Sequence, residues 1–258
     1  MPPTLRDVPA VTRAVAILRL LGRSDAPMGV NAIARELGLV PSTCLHILRV
    51  LAAEELVACD PGTKRYTLAS GILALARSAL AQHGFARTAQ PELDRLARRF
   101  GVTAIGVEVF GLEHMVVVAI AHAALGVRLH VDLGSRFPAL ISATGRCLAA
   151  FGGHAWEEIE PRFRRLRWHD APSFADWRAE MEAVGHAGYA LDEGRYIEGV
   201  TILCVPLHDG TCQDGTGRMT HGLVAIGVSE QIRRLGPATI AAALGETAVR
   251  ICGAPTGR

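Results

Sequence analysis

The strongest constraint on this chain is a change of period inside its N-terminal third. Helical spacing runs to about Ala53 and then breaks. Leu56-Val57-Ala58-Cys59 and Tyr66-Thr67-Leu68 flank Asp60-Pro61-Gly62-Thr63-Lys64, so two short extended runs meet around an Asp-Pro-Gly turn and read as a hairpin. Upstream, Val11–Leu21 places apolar residues at 11, 14, 15, 17, 18, 20 and 21, the spacing of a helix with one buried face. Gly22 and Ser24-Asp25-Ala26-Pro27 end it. A second helix fits Asn31–Leu37, with Asn31 as its cap, Ile33, Ala34 and Leu37 on one face, and Gly38 in the left-handed position that stops it. A third follows from Pro41 or Ser42 to Ala53, with Leu45, Leu48 and Leu51 or Ala52 turned inward.

Three helices and a two-stranded hairpin in so short a span form the layout of a winged helix. Two helices make a small core, the third offers its outer face to a major groove, and the hairpin reaches the backbone alongside. The helix-turn-helix occupies 30–49. Ser42 and Thr43 open the third helix, where hydroxyls and free amides suit phosphate. His46 and Arg49 follow one turn apart; Arg49 is suited equally to a guanine edge or a phosphate. Lys64, the only lysine in the chain, and Arg65 sit at the wing. A formal net charge of +2 gives no global positive field, so a DNA surface has to be local. A solvated face is the plainer reading of an Arg and a His on a helix; the ordered set of elements favours double-stranded DNA.

Ile72–Leu80 is an alanine-rich apolar helix expected to pack on two sides, ending at His83-Gly84. Beyond it the pattern is mixed. Pro91–Phe100, Ala143–Phe151, Phe174–Ala187 and Thr239–Ile251 read as helices. Thr103–Phe110 and His114–Ala121 read as a hairpin joined by Gly111-Leu112-Glu113, and Val127–Leu133, Ile202–Leu207 and Leu223–Val228 as strands. The reading is α+β: residues 1–70 a winged helix-turn-helix, 71–85 a linker helix, and 86–258 a second domain.

The same residues resemble the IclR-type transcriptional regulators. The likeness is carried by Ala14-Val15-Ala16-Ile17-Leu18, Ile33-Ala34-Arg35-Glu36-Leu37-Gly38-Leu39, Pro41-Ser42-Thr43, Ile47-Leu48-x-x-Leu51, Glu55-Leu56-Val57 and Arg65-Tyr66-x-Leu68. It continues through Gly134-x-x-Phe137-Pro138, Ala143-Thr144-Gly145-Arg146-Cys147-Leu148-Ala149, Gly188-Tyr189-Ala190-x-Asp192, Glu198-Gly199-Val200 and Val205-Pro206-Leu207. The resemblance implies a GAF-like α/β effector domain that holds a small organic or aromatic acid. Its pocket residues map to Phe137, Ala143, Thr144, Gly145, Asp192, Val200, Ile202 and Ser229. Four positions depart from the family pattern. Pro41 stands for a lysine and His46 for an arginine, which bears on the operator sequence. Arg146 stands for a lysine and keeps its charge, and Ile202 stands for a cysteine and makes the pocket more apolar.

A single reader helix contacts too few bases, so a near-palindromic operator and a homodimer are expected, with a dimer of dimers implied by the resemblance. The rival reading is a ligand-sensing module whose winged helix contacts protein. No catalysis is expected. Cys147, Cys204 and Ser142 are possible nucleophiles, but no Gly-x-Ser-x-Gly, P-loop or Gly-x-Gly-x-x-Gly accompanies them. No cofactor and no metal are expected either: His208, Cys212 and His221, or His122 and His130, lack the paired spacing of a zinc site. The start of the chain does not read as a signal peptide, and the longest apolar run, Met115–Gly126, is broken by His122. It also falls short of the ~20 residues a membrane span needs. The expectation is a cytoplasmic protein with no membrane partner and six reduced cysteines.

Overall fold

Proline and extended residues set where the N-terminal helices begin. A computed structural model describes residues 8–122, 131–208 and 217–253, and its contacts divide the chain into Met1–Gln82 and His83–Arg258. In the first unit α1 (Pro9–Leu21) leads to β1 (Met28–Gly29), α2 (Val30–Glu36), α3 (Pro41–Ala53), β2 (Val57–Cys59), β3 (Arg65–Leu68) and α4 (Gly71–Gln82). Ile17, Leu21, Ile33, Ala34, Cys44, Leu48, Leu51, Val57 and Tyr66 form its core. Each large apolar side chain so buried contributes ~1.5–3 kcal/mol.

Local details correct three expectations here. Asn31 does not cap α2; the chain passes from β1 straight into the helix, so Gly29 is the boundary residue and no side chain caps it. The buried side of α3 is Cys44, Leu48 and Leu51, with Leu45 only half-buried, because the helix opens at Pro41 and residues 44, 48 and 51 then share a face. α4 buries no residue at all, against an expected packing on two sides. Gly38 does end α2 with φ +63°. The Gly38 N–H reaches the Arg35 carbonyl and the Leu39 N–H that of Ala34, which is the Schellman arrangement.

The second unit is built on one antiparallel sheet. Its elements are α5 (Gly84–Phe100), β4 (Thr103–Phe110), β5 (His114–Ala121), β6 (Arg136–Pro138), α6 (Ser142–Phe151), α7 (Trp156–Phe163), α8 (Phe174–Ala187), β7 (Ala190–Glu193), β8 (Val200–His208), β9 (Met219–Val228), α9 (Ser229–Leu235) and α10 (Pro237–Gly253). The strand order is β6-β5-β4-β9-β8-β7. Alternation along the strands feeds two cores. Leu203, Val205, Leu223 and Ala225 face α5 and α10, while Ile105, Val107, Ile202, Cys204, Val224 and Ile226 face α6 and α8. The result is a three-layer α+β unit.

α5 begins at Gly84, well before the predicted Pro91, because His83 caps a helix rather than closing one: its Nδ1 accepts the Ala86 N–H at 3.3 Å. Pro91 sits inside that helix, at the cost of one intrahelical bond. In the predicted strand 127–133, residues 127–130 lie outside the described residues, and 131–133 form no strand. Cys44, Cys59, Cys147 and Cys204 are free thiols. Cys252 is disulfide-bonded, which corrects the all-reduced expectation at that position.

Candidate DNA interface and effector cavity

On α3 the outward side chains are those the spacing nominated. Ser42, His46 and Arg49 are exposed and Thr43 is half-exposed. Burying Cys44, Leu48 and Leu51 forces this phase. The same face exposes Val50, 62%, missed because an apolar residue in a helical pattern is read as core; Val40, the extended residue just before the helix, is 64% exposed. Such side chains suit the thymine methyl in a major groove.

The wing turn is held from within. Asp60 Oδ1 accepts the Thr63 N–H at 2.6 Å and the Thr63 hydroxyl at 2.8 Å. These bonds hold the Asp60 carboxyl below the usual range. The Lys64 N–H closes on the Asp60 carbonyl at 2.9 Å, with Lys64 at φ +55°. Lys64 therefore projects into solvent from a fixed turn. Arg65 is also exposed, but its Nη1 donates to the Pro27 carbonyl at 3.0 Å, across the pairing of β3 with β1. It anchors the wing to the turn before α2 with one arm of its guanidinium.

In the second unit a cavity of about 260 Å³ opens between the sheet and the start of α6. Ile105 and Val107 of β4, Met115 of β5, Phe137 of β6, Ile202 of β8, and Val224 and Ile226 of β9 supply apolar walls. Ser142 and Thr144 of α6, with Tyr196 before β8, bring the hydroxyls. Burial pushes the Tyr196 phenol up, so it stays a neutral donor. Gly145 N–H is bonded to the Ile141 carbonyl, which leaves the amides of the preceding turn without a helical partner. A helix N-terminus of this kind favours negative charge. Ser142 holds φ +55°, a left-handed conformation rare for a non-glycine residue, and its carbonyl accepts from Arg146 Nη1 at 3.4 Å.

Of the eight nominated effector residues, Phe137, Thr144 and Ile202 line the cavity. Ala143 and Val200 are packed in the core beside it. Gly145 touches the backbone of Leu140 so closely that a Cβ would lie 2.0 Å from its carbonyl, which lets α6 seat against residues 138–141. Ser229 Oγ accepts from Thr201 at 2.9 Å, away from the cavity wall. Asp192 works at one remove. Its Oδ2 takes Arg146 Nη1 at 2.9 Å and its Oδ1 takes the Tyr196 N–H at 3.1 Å, so one carboxylate ties α6 to the segment carrying Tyr196. Ser142, Tyr196 and the β4, β5 and β9 residues were not nominated as effector contacts, because nothing local in the sequence marks a residue as cavity wall rather than core or connection.

Cys147 and Cys204 are both fully buried, and burial pushes the Cys147 thiol well above its usual range, which suits packing rather than attack. Cys212 and His130 lie outside the described residues. His208 packs edge-on against Phe151. Among the described residues no single helix is long and apolar enough to cross a membrane.

Comparison with known proteins agrees with this geometry. The IclR helix-turn-helix domain matches residues 10–61, and the bacterial transcriptional regulator IclR C-terminal domain matches residues 77–252. The glycerol operon regulatory protein of Streptomyces griseus is 33% identical over 98% of this chain and 96% of its own length. An IclR transcriptional regulator from Alicyclobacillus acidocaldarius superposes with a TM-score of 0.81 at 26% identity, covering 96% of this chain and 98% of its own. An IclR homologue from Microbacterium hydrocarbonoxydans, complexed with 4-hydroxybenzoate, shares the fold at a TM-score of 0.76 and 17% identity, over 94% of this chain and 97% of its own. With both family domains matched and a relative aligned over nearly its whole length, the chain belongs to the IclR family of DNA-binding transcriptional regulators.

Proposed function

We propose that this regulator answers to a small organic acid with an apolar body, and that it binds a near-palindromic operator as a homodimer. The observation that carries the ligand class is the cavity itself. Its walls are aliphatic and aromatic, and two of its three hydroxyl residues, Ser142 and Thr144, stand where α6 begins. At about 260 Å³ it lies just below the ~300–1,000 Å³ of drug-sized pockets, so the ligand is small. A carboxylate would accept from Ser142, Thr144 and the free amides of α6, and a ring or short chain would fill the space between Phe137, Ile202 and Val224. The homologue complexed with 4-hydroxybenzoate holds a molecule of that build. Regulation needs no catalytic group, and none is assigned.

On the DNA side, Ser42, Thr43, His46 and Arg49 would enter the major groove while Lys64 and Arg65 meet phosphate. Pairing of two copies follows from the need for two half-sites. Because linkage is reciprocal, an effector that weakens operator binding is itself weakened by operator to the same factor.

Titration calorimetry of the full chain against aromatic and short-chain acids, their amides and small polyols tests the ligand class. An acid should bind, its amide at least tenfold more weakly, and Thr144→Val should reduce the difference. Binding of polyols with no response to any acid would overturn the assignment. A gel shift on the chain's own upstream DNA, repeated over a salt series with and without the acid, tests the coupling. A winged helix that contacts protein instead would give no salt-dependent shift.

A further inference from the structure

On the sheet face opposite the cavity three potential metal ligands converge: Glu108, His221 and His83, the cap of α5. Glu108 and His221 stand directly across from each other where β4 pairs with β9. His83, the first residue of the second unit, brings its Nε2 to 3.0 Å from Glu108 Oε2. One donor atom from each of the three lies within 4.8 Å of the other two. All three side chains are half-buried, open enough for an ion to enter.

We propose that His83, Glu108 and His221 bind one divalent transition-metal ion of the Zn²⁺ type. Two imidazoles and one carboxylate are the donors that zinc and its neighbours take, whereas Mg²⁺ and Ca²⁺ favour all-oxygen sets. Three protein ligands leave a fourth position for water. The surroundings support the ligands. His221 Nδ1 is hydrogen-bonded to Thr220 Oγ1 at 3.0 Å, which fixes the ring and leaves Nε2 as donor atom. Phe85 packs on the His221 ring with centroids 4.3 Å apart, and the His83 ring stands nearly perpendicular to it at 6.1 Å.

Coordination carries a defined structural change. In the metal-free chain, His83 Nδ1 accepts the Ala86 N–H, so the proton of the neutral ring sits on Nε2, facing Glu108. A metal takes the Nε2 lone pair; the proton then belongs on Nδ1, and the Ala86 N–H loses its acceptor. Metal occupancy therefore exchanges the cap of α5 for a coordinate bond, at the residue that follows α4 in the chain.

The test uses the full chain, stripped with chelator and titrated with Zn²⁺ by calorimetry and with Co²⁺ by visible absorption. One ion per chain is expected, with the absorption of a low-coordinate Co²⁺ site and a displaced Ala86 amide resonance. Glu108→Gln and His221→Gln should each weaken binding at least tenfold, with metal-free melting curves confirming that they fold. His169→Ala, on an exposed histidine elsewhere, should bind as wild type. Absence of stoichiometric binding, or wild-type affinity in both ligand variants, would overturn the site, as would loss of binding in the His169 control.

Discussion

Arg146 is 3% exposed and carries a charge into the core of the second unit; Glu180 takes its Nε at 2.8 Å and Asp192 its Nη1 at 2.9 Å. A buried cation stripped of a partner is expensive, so Asp192→Ala should cost about 3–5 kcal/mol. All three tryptophans, Trp156, Trp168 and Trp177, lie in that unit, and their fluorescence in urea would report its unfolding; an unchanged midpoint would show the pair to be dispensable. The same variant should lose effector affinity, because the Tyr196 segment is released with the carboxylate. Arginine suits this place better than the lysine of the family pattern, since one planar fork serves Glu180, Asp192 and the Ser142 carbonyl together. The sequence marked Asp192 and Arg146 as important through resemblance. It could not pair them, because 46 residues separate the partners and no local spacing encodes a contact of that range.

At the scale of elements, the reader helix and wing act through different terms. Arg49→Ala should lose about 1–3 kcal/mol of operator affinity and relax preference at one base pair if it reads a base. Lys64→Ala should weaken all sequences alike and flatten the slope of log K against log salt by about 0.9. Fluorescence anisotropy over a salt series on operator and random duplex separates the two, and wild-type curves from both variants would place the interface elsewhere. Elements of this unit were readable because local rules define them: a proline start, a left-handed glycine, an Asp-Pro-Gly turn. β1 and β6 were not, being two and three residues long and held only by distant partners, Tyr66 and Arg65 for the first, His114 through Val116 for the second. α7 escaped because Glu157, Glu158 and an internal Pro161 blur its apolar face. α5 was shortened because a His-Gly pair reads as a stop unless the imidazole is known to cap.

For the whole molecule, the unanswered surface lies in the first unit. α4 buries none of its residues, leaving Leu73 70%, Leu75 61% and Leu80 37% exposed. α1 adds Val11 at 60% and Val15 at 37%. Scattered apolar residues on a surface are ordinary, but two helices exposing this many are where the proposed homodimer would lay its second copy. Packing of α4 on two sides was expected from its composition, and composition could not say by what, since an apolar helix looks the same whichever molecule covers it. A Leu73→Glu/Leu75→Glu variant should therefore sediment as monomer where the parent chain sediments as dimer. Binding as a monomer reaches one half-site, so operator affinity should fall by orders of magnitude while calorimetry with the effector acid is unchanged, the cavity being built wholly from His83–Arg258. A variant that stays dimeric, with operator affinity intact, would move the pairing surface off these helices.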